Sequence, residues 1–239
     1  MKQKRLLLAT LLVTLLGSVT VAQTGREDAL DAIRRGNEKY AKAEYELAIG
    51  EYRRVPFSAG ETYAKSLYNI GVCYYELWST DEAIVYYRRA VEARKGRYPS
   101  ALYALGVALK DLKRLSEAKE VFRQSIATSG GTYAPAHYML GLLVMGEGDT
   151  EAAAASFREA IARSRDRFPA SHNNLGVALA RMGRLPEAKR EFEAALRQAD
   201  GEFNEATHNL KLCRSLLASP AKDQLASLKT VETIVRRLH

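Results

Sequence analysis

Two cysteines, one tryptophan, four histidines and six prolines are few for a chain of 239 residues. Two cysteines build neither a disulfide framework nor an all-cysteine zinc site. No apolar run reaches the roughly 20 residues of a membrane-spanning helix; residues 6–16 are apolar apart from Thr10 and Thr14. A nucleophile motif, a glycine-rich phosphate loop and a repeated acidic pair are all missing, so the sequence offers no basis for an enzyme and implies no cofactor. What is present is 47% apolar and 27% charged residues, rich in Ala, Leu, Glu and Arg. That balance excludes a disordered chain and favours helix.

The formal charge is +8. Lys2, Lys4 and Arg5 precede the apolar run, and Thr20 and Ala22 follow it as small residues at −3 and −1 of a cut before Gln23. This is the pattern of a secretory signal peptide over 1–22. Its removal lowers the charge from +8 to +5 by the loss of those three cations. Much of the basic balance is then targeting, and no nucleic-acid partner is expected. The location implied is exported and periplasmic. The alternative is an uncleaved N-terminal anchor, in which case the chain contacts a membrane there.

Beyond a short leader, 23–28, one period governs the chain. Gly36, Gly71, Gly106, Gly141 and Gly176 stand 35 residues apart. So do Ala48, Ala83, Ala118, Ala153 and Ala188, and so do Tyr52, Tyr87, Phe122, Phe157 and Phe192. A fixed period of this length signals a stacked array. Apolar residues three and four apart around each Gly mark one helix, and the Ala-x3-aromatic pair marks the buried face of a second. Pro186 falls where a helix start tolerates it. Each unit therefore reads as a helical hairpin whose Gly and Ala let two helices approach closely.

These units resemble tetratricopeptide repeats (TPR), with signature W-x2-L-G-x2-Y, A-x3-F and P. The second unit carries Leu67, Ile70, Gly71, Tyr74, Ala83, Tyr87 and Ala90. The resemblance implies an all-α, right-handed solenoid of five units, 29–63, 64–98, 99–133, 134–168 and 169–203. A degenerate sixth, 204–239, is expected to close it with helices over 205–218 and 222–238. Leu225, Leu228, Val231, Ile234 and Leu238 would form the apolar face of the last helix. Arg35 and Lys39 at normally apolar positions suit a cap at the other end. The family's usual proline before each new unit is missing. Tyr63, Tyr98, Tyr133, Phe168 and Phe203 stand near its place and are expected to plug the joints, while Gly96, Gly131 and Gly201 suit left-handed helix caps.

The resemblance implies a protein–protein interaction scaffold with a concave groove lined by positions 2, 5, 9 and 12 of each first helix. Those positions hold Tyr68, Tyr103 and Tyr138, then Val72, Val107, Leu142 and Val177, then Tyr40, Tyr75 and Met145. The expected partner is a peptide or helix of another protein in this Tyr/aliphatic groove, the rival role for the rings being sideways packing on the next helix. A family variant clamps acidic C-termini with Lys, Asn and Arg. Asn37 and Asn69 match part of that clamp, but Ile33, Ser100 and Ala104 occupy the cationic positions. On the second helices Arg53, Arg88, Arg123 and Arg158 recur at 35 and should be exposed. They suggest the alternative of an accessory subunit of an envelope enzyme or assembly complex that grips anionic lipid or polymer. Cys73 and Cys213 lie four units apart and are expected to be separate buried thiols. His137, His172 and His208 sit on the packing side, where no metal site is expected.

Overall fold

The computed structural model of the chain describes residues 25–219 and 222–232. The signal-peptide pattern at 1–22, and the positions of Ile234 and Leu238, lie outside the described residues. Among those described there are helices and turns and no strand. They fall into two compact units divided between Gly96 and Arg97.

In the first unit α1 (25–41) pairs with α2 (Tyr45–Tyr52). A short 3-10 turn, Phe57–Ala59, leads into α3 (Glu61–Glu76), which pairs with α4 (Thr80–Ala93). Its core joins Ala29, Ala32 and Ile33 to Ala48, Ile49 and Tyr52, then to Ile70 and Cys73. Arg35 and Lys39 do not enter that core; they pair with Glu51 and Glu44 at 2.8 Å each. In the second unit α5 (Pro99–Asp111) pairs with α6 (Leu115–Thr128), and α7 (Ala134–Gly146) with α8 (Thr150–Arg163). Then α9 (Pro169–Arg181) pairs with α10 (Leu185–Gln198), and α11 (Asn204–Ala218) follows. Pro99 and Pro169 open their helices and Pro186 is second in α10, places where the missing N–H has no intrahelical acceptor to lose.

The repeated glycine has a sharper reason than close approach of two backbones. A Cβ on Gly106 would lie 2.6 Å from Phe122 Cε1, and the same clash recurs between Gly141 and Phe157 and between Gly176 and Phe192. The first helix gives up its side chain so that the aromatic ring of the second can lie against its backbone. All five rings of this register are fully buried, at 0% or 1% exposure. The turn inside each hairpin is equally constrained. Ala43, Trp78, Lys113, Gly148 and Gly183, again 35 apart, all have φ between 58° and 88°. Around Trp78 the hydrogen bonds Trp78 N–H to Tyr75 C=O and Ser79 N–H to Tyr74 C=O close a Schellman cap. Gly96, Gly131 and Gly201 are left-handed as the sequence suggests.

The end of the described chain departs from expectation. Over the described part of the region expected as a second closing helix, Lys222–Ser227 is a 3-10 turn and residues 228–232 carry no helix. Thr230 and Val231 are β-branched, which weakens helix. The backbone groups that a helix would pair internally are taken instead by side chains of α9 and α11.

Candidate functional site

Residues 228–232 form a strap laid across the first helices of the second unit. Lys229 donates its N–H to Asn209 Oδ1 at 2.8 Å and accepts at its C=O from Asn209 Nδ2 at 2.7 Å. Two residues on, Val231 does the same with Asn174, donating to Oδ1 at 2.8 Å and accepting from Nδ2 at 2.7 Å. Each asparagine thus presents its amide edge as a neighbouring strand would. The two-residue step follows from extended backbone, in which alternate residues turn both polar groups to the same side. Asn173 joins the pair: its Nδ2 reaches Lys229 O at 3.0 Å and Asn174 Oδ1 at 3.1 Å, and its Oδ1 accepts from Asn209 Nδ2 at 2.8 Å. All three asparagines are fully buried, so a missing partner would leave a costly unsatisfied amide.

Both ends of the strap are held too. Leu228 is buried, and Ser227 C=O meets His208 Nε2 at 3.0 Å. Tyr138 donates its hydroxyl to Val231 C=O and accepts from Asn174 Nδ2 at 3.2 Å. Glu232 pairs with Lys110 Nζ at 2.8 Å, and Lys110 also meets Asp111. Burial alone would depress the Lys110 pKa, but Glu232 and Asp111 outweigh it and hold the ammonium above its ordinary value. The strap therefore touches α11, α9, α7 and α5 in turn, running back along the first-helix face.

Most of the aromatic and aliphatic residues expected to line a groove are buried in packing between helices. Tyr68, Tyr103 and Tyr138 are 3%, 2% and 0% exposed. Tyr103 lies between Phe122 and Tyr133, at centroid distances of 5.9 and 5.7 Å. Tyr138 lies between Phe157, at 5.8 Å, and Phe168, at 4.7 Å. Tyr68 packs on Tyr87 at 5.8 Å. Each ring packs within its own hairpin, and Tyr133 and Phe168, at the ends of the same units, close over Tyr103 and Tyr138. Val72, Val107, Val177 and Met145 are buried as well, while Tyr40, Tyr75 and Leu142 are half-buried. Tyr138 reaches the strap through its hydroxyl. Asn173, Asn174, Asn209 and Lys110 were missed. The available signal was Asn at the same register in Asn69, Asn174 and Asn209, a poor helix former placed inside a helix.

Arg53, Arg88, Arg123 and Arg158 are exposed. Arg53 donates to the hydroxyls of Tyr74 and Tyr86 at 2.9 and 3.4 Å, and Arg123 stands 3.9 Å from Glu120. Asn69 Nδ2 approaches Asn37 Oδ1 at 3.4 Å, and Asn37 also accepts from Tyr52. Cys73 and Cys213 are free and buried, and burial pushes the Cys73 thiol up to about 12. His137 meets Gly131 C=O at 3.0 Å. His172 lies between Asp166 and Glu191, 2.7 Å from each. Burial lowers its pKa, but hydrogen bonds and charge from Glu191 and Asp166 outweigh that, so the net shift is upward. Among the described residues no cluster of His, Cys, Asp or Glu is arranged to hold a metal, and no helix is long and apolar enough to cross a membrane.

Models of the tetratricopeptide repeat match residues 64–96, 99–129 and 138–203, together more than half of the chain. The chain belongs to the tetratricopeptide-repeat family, an all-α solenoid fold whose members are in general interaction scaffolds, not enzymes, and bind protein or peptide partners. Solved structures agree in fold. The pilF protein of Pseudomonas aeruginosa is 20% identical, with a TM-score of 0.68 over 85% of this chain and 90% of its own. A MamA protein is 24% identical, with a TM-score of 0.59 over 74% of this chain and 97% of its own. YrrB, described as a TPR protein with an unusual peptide-binding site, is 20% identical, with a TM-score of 0.58 over 81% and 97%. Comparison with curated proteins gives no match.

Proposed function

We propose that this protein is an extracytoplasmic interaction scaffold that holds an extended segment of a partner protein along the first-helix face of residues 97–232. One observation carries the reading: Asn174 and Asn209 each grip both backbone groups of a residue in an extended segment. Such a grip recognises main chain, and side chains set the choice of partner. The export component rests on the pattern of residues 1–22.

Panning a library of random linear peptides over the full chain and over a form lacking 228–239 tests it. The expected result is a set of peptides whose binding is lost in Asn174→Leu and Asn209→Leu and persists at about 0.5 M salt, where exposed ion pairs are screened. An absence of binders to either form refutes it. The second reading is an accessory subunit that grips anionic lipid or polymer through Arg53, Arg88, Arg123 and Arg158; their exposure favours it. Binding that survives Asn174→Leu, fails in Arg158→Glu and vanishes at high salt would establish that reading instead.

A further inference from the structure

The strap is more than a way to end the chain. A closing segment needs only to cover apolar surface, as Leu228 does. Here three fully buried asparagines, a tyrosine hydroxyl and a partly buried lysine converge on five residues. Those groups sit on four different helices, α5, α7, α9 and α11, and the strap passes them in order. Main-chain grips at 229 and 231, an apolar anchor at 228 and a carboxylate at 232 make up a ligand pattern. Lys229 and Thr230 are exposed and are read only through backbone, or not at all.

We infer that residues 228–232 are a built-in ligand: the face reads an extended segment with an apolar residue followed four positions later by a carboxylate, and the chain's own strap occupies it until a partner segment of that pattern displaces it. This rests on the proposed peptide-binding role of the face. The strap gates access by tethering. Residues 219–227 connect it to α11, so its local concentration is about millimolar. A strap whose free peptide binds at about 0.1 mM would then reduce a competitor's apparent affinity about tenfold. The partner's chemistry follows from the contacts: a carboxylate within reach of Lys110, a Leu-sized side chain near α11, and free N–H groups at the second and fourth positions.

The test uses a fluorescent peptide of residues 226–233, read by anisotropy against three proteins. These are the full chain, the full chain with Lys229→Pro and Val231→Pro, and the form ending at Ser227. The proline pair removes both donated N–H groups while leaving α5–α11 untouched, so it serves even if the deletion fails to fold; far-UV circular dichroism checks each. The opened forms should bind the peptide about tenfold or more tightly than the full chain. N-methylation at Val231 of the peptide should cost about tenfold, and N-methylation at Thr230 should cost little, because only the former N–H is held. Equal binding by the full and opened chains would overturn the gate and leave the groove reading standing. Equal binding of the two N-methylated peptides would overturn backbone reading by Asn174. Failure of folded, opened forms to bind this peptide while they bind panned peptides would overturn the built-in ligand alone; failure with every peptide would overturn the groove reading with it.

Discussion

Gly106→Ala should destabilise the protein although alanine is the better helix former. The added Cβ would lie 2.6 Å from Phe122 Cε1 and 2.9 Å from Cδ1 and Cζ. Ordinary carbon contacts are about 3.5–4.0 Å, so ring or helix must yield by roughly 1 Å. The ring has little room, being fully buried and backed by Tyr103 at 5.9 Å. Overpacking of this kind costs about 1–3 kcal/mol, and helix propensity returns up to about 1. With the full propensity gain the net expectation is a loss of up to about 2 kcal/mol. Gly50→Ala is the matched control: Gly50 lies within α2, is exposed and has nothing within 4 Å of the new Cβ. It should gain about 0.5–1 kcal/mol. Phe122→Leu should relieve the clash, so the double variant Gly106→Ala/Phe122→Leu should be more stable than the two single losses predict. Urea unfolding followed by far-UV circular dichroism reads all four, with slopes compared because repeat arrays can lose two-state behaviour. If Gly106→Ala stabilises as Gly50→Ala does, glycine is not there to seat the ring, and the explanation of the 35-residue marker collapses.

Trp78 is 91% exposed at φ 61°, in the register where Gly148 and Gly183 stand, so Trp78→Gly should raise the melting temperature through about 0.5–1 kcal/mol of relieved strain. His172 has a raised pKa, so its contribution is fully present below its unfolded value near 6.5 and is lost as pH rises through the higher folded value. Stability measured from pH 6 to 9 should therefore fall more steeply in the wild type than in His172→Leu, and a wild-type curve no steeper than the variant's would refute this. Tyr103→Ala should cost about 3–5 kcal/mol as a buried aromatic, and a modest loss would return the ring to the groove. Tyr138→Phe keeps the ring and removes the hydroxyl held by Val231 and Asn174. It should cost about 1 kcal/mol and speed amide exchange at 229–231; unchanged exchange would count against its grip on the strap.

The repeat was legible because its causes are local. Gly106 must make room for Phe122, sixteen residues on, and Lys113 must turn left-handed between them. Requirements of that kind fall on residue types at set spacings, and every hairpin repeats them. Between groove and packing for Tyr103 and Tyr138 the sequence left both roles open. A helical wheel places position 5 away from the hairpin's own Gly face, but cannot show Tyr133 or Phe168 arriving from the next joint to close over it.

The sequence by itself determined the period, the paired helices and the exposure of the arginine register. Only the tertiary structure decided what the first-helix face holds. Leu225, Leu228 and Val231 are spaced to suit one face of a helix, and nothing in that spacing reveals that 228–232 leaves the helix and gives its backbone groups to Asn174 and Asn209. The deciding contacts join Asn173 and Asn174 to main-chain atoms 56 and 57 residues away. Backbone N–H and C=O groups are the same in every residue but proline, so an asparagine that binds them leaves no complementary mark in the sequence it binds. The site became visible only when folding brought four helices and the strap together.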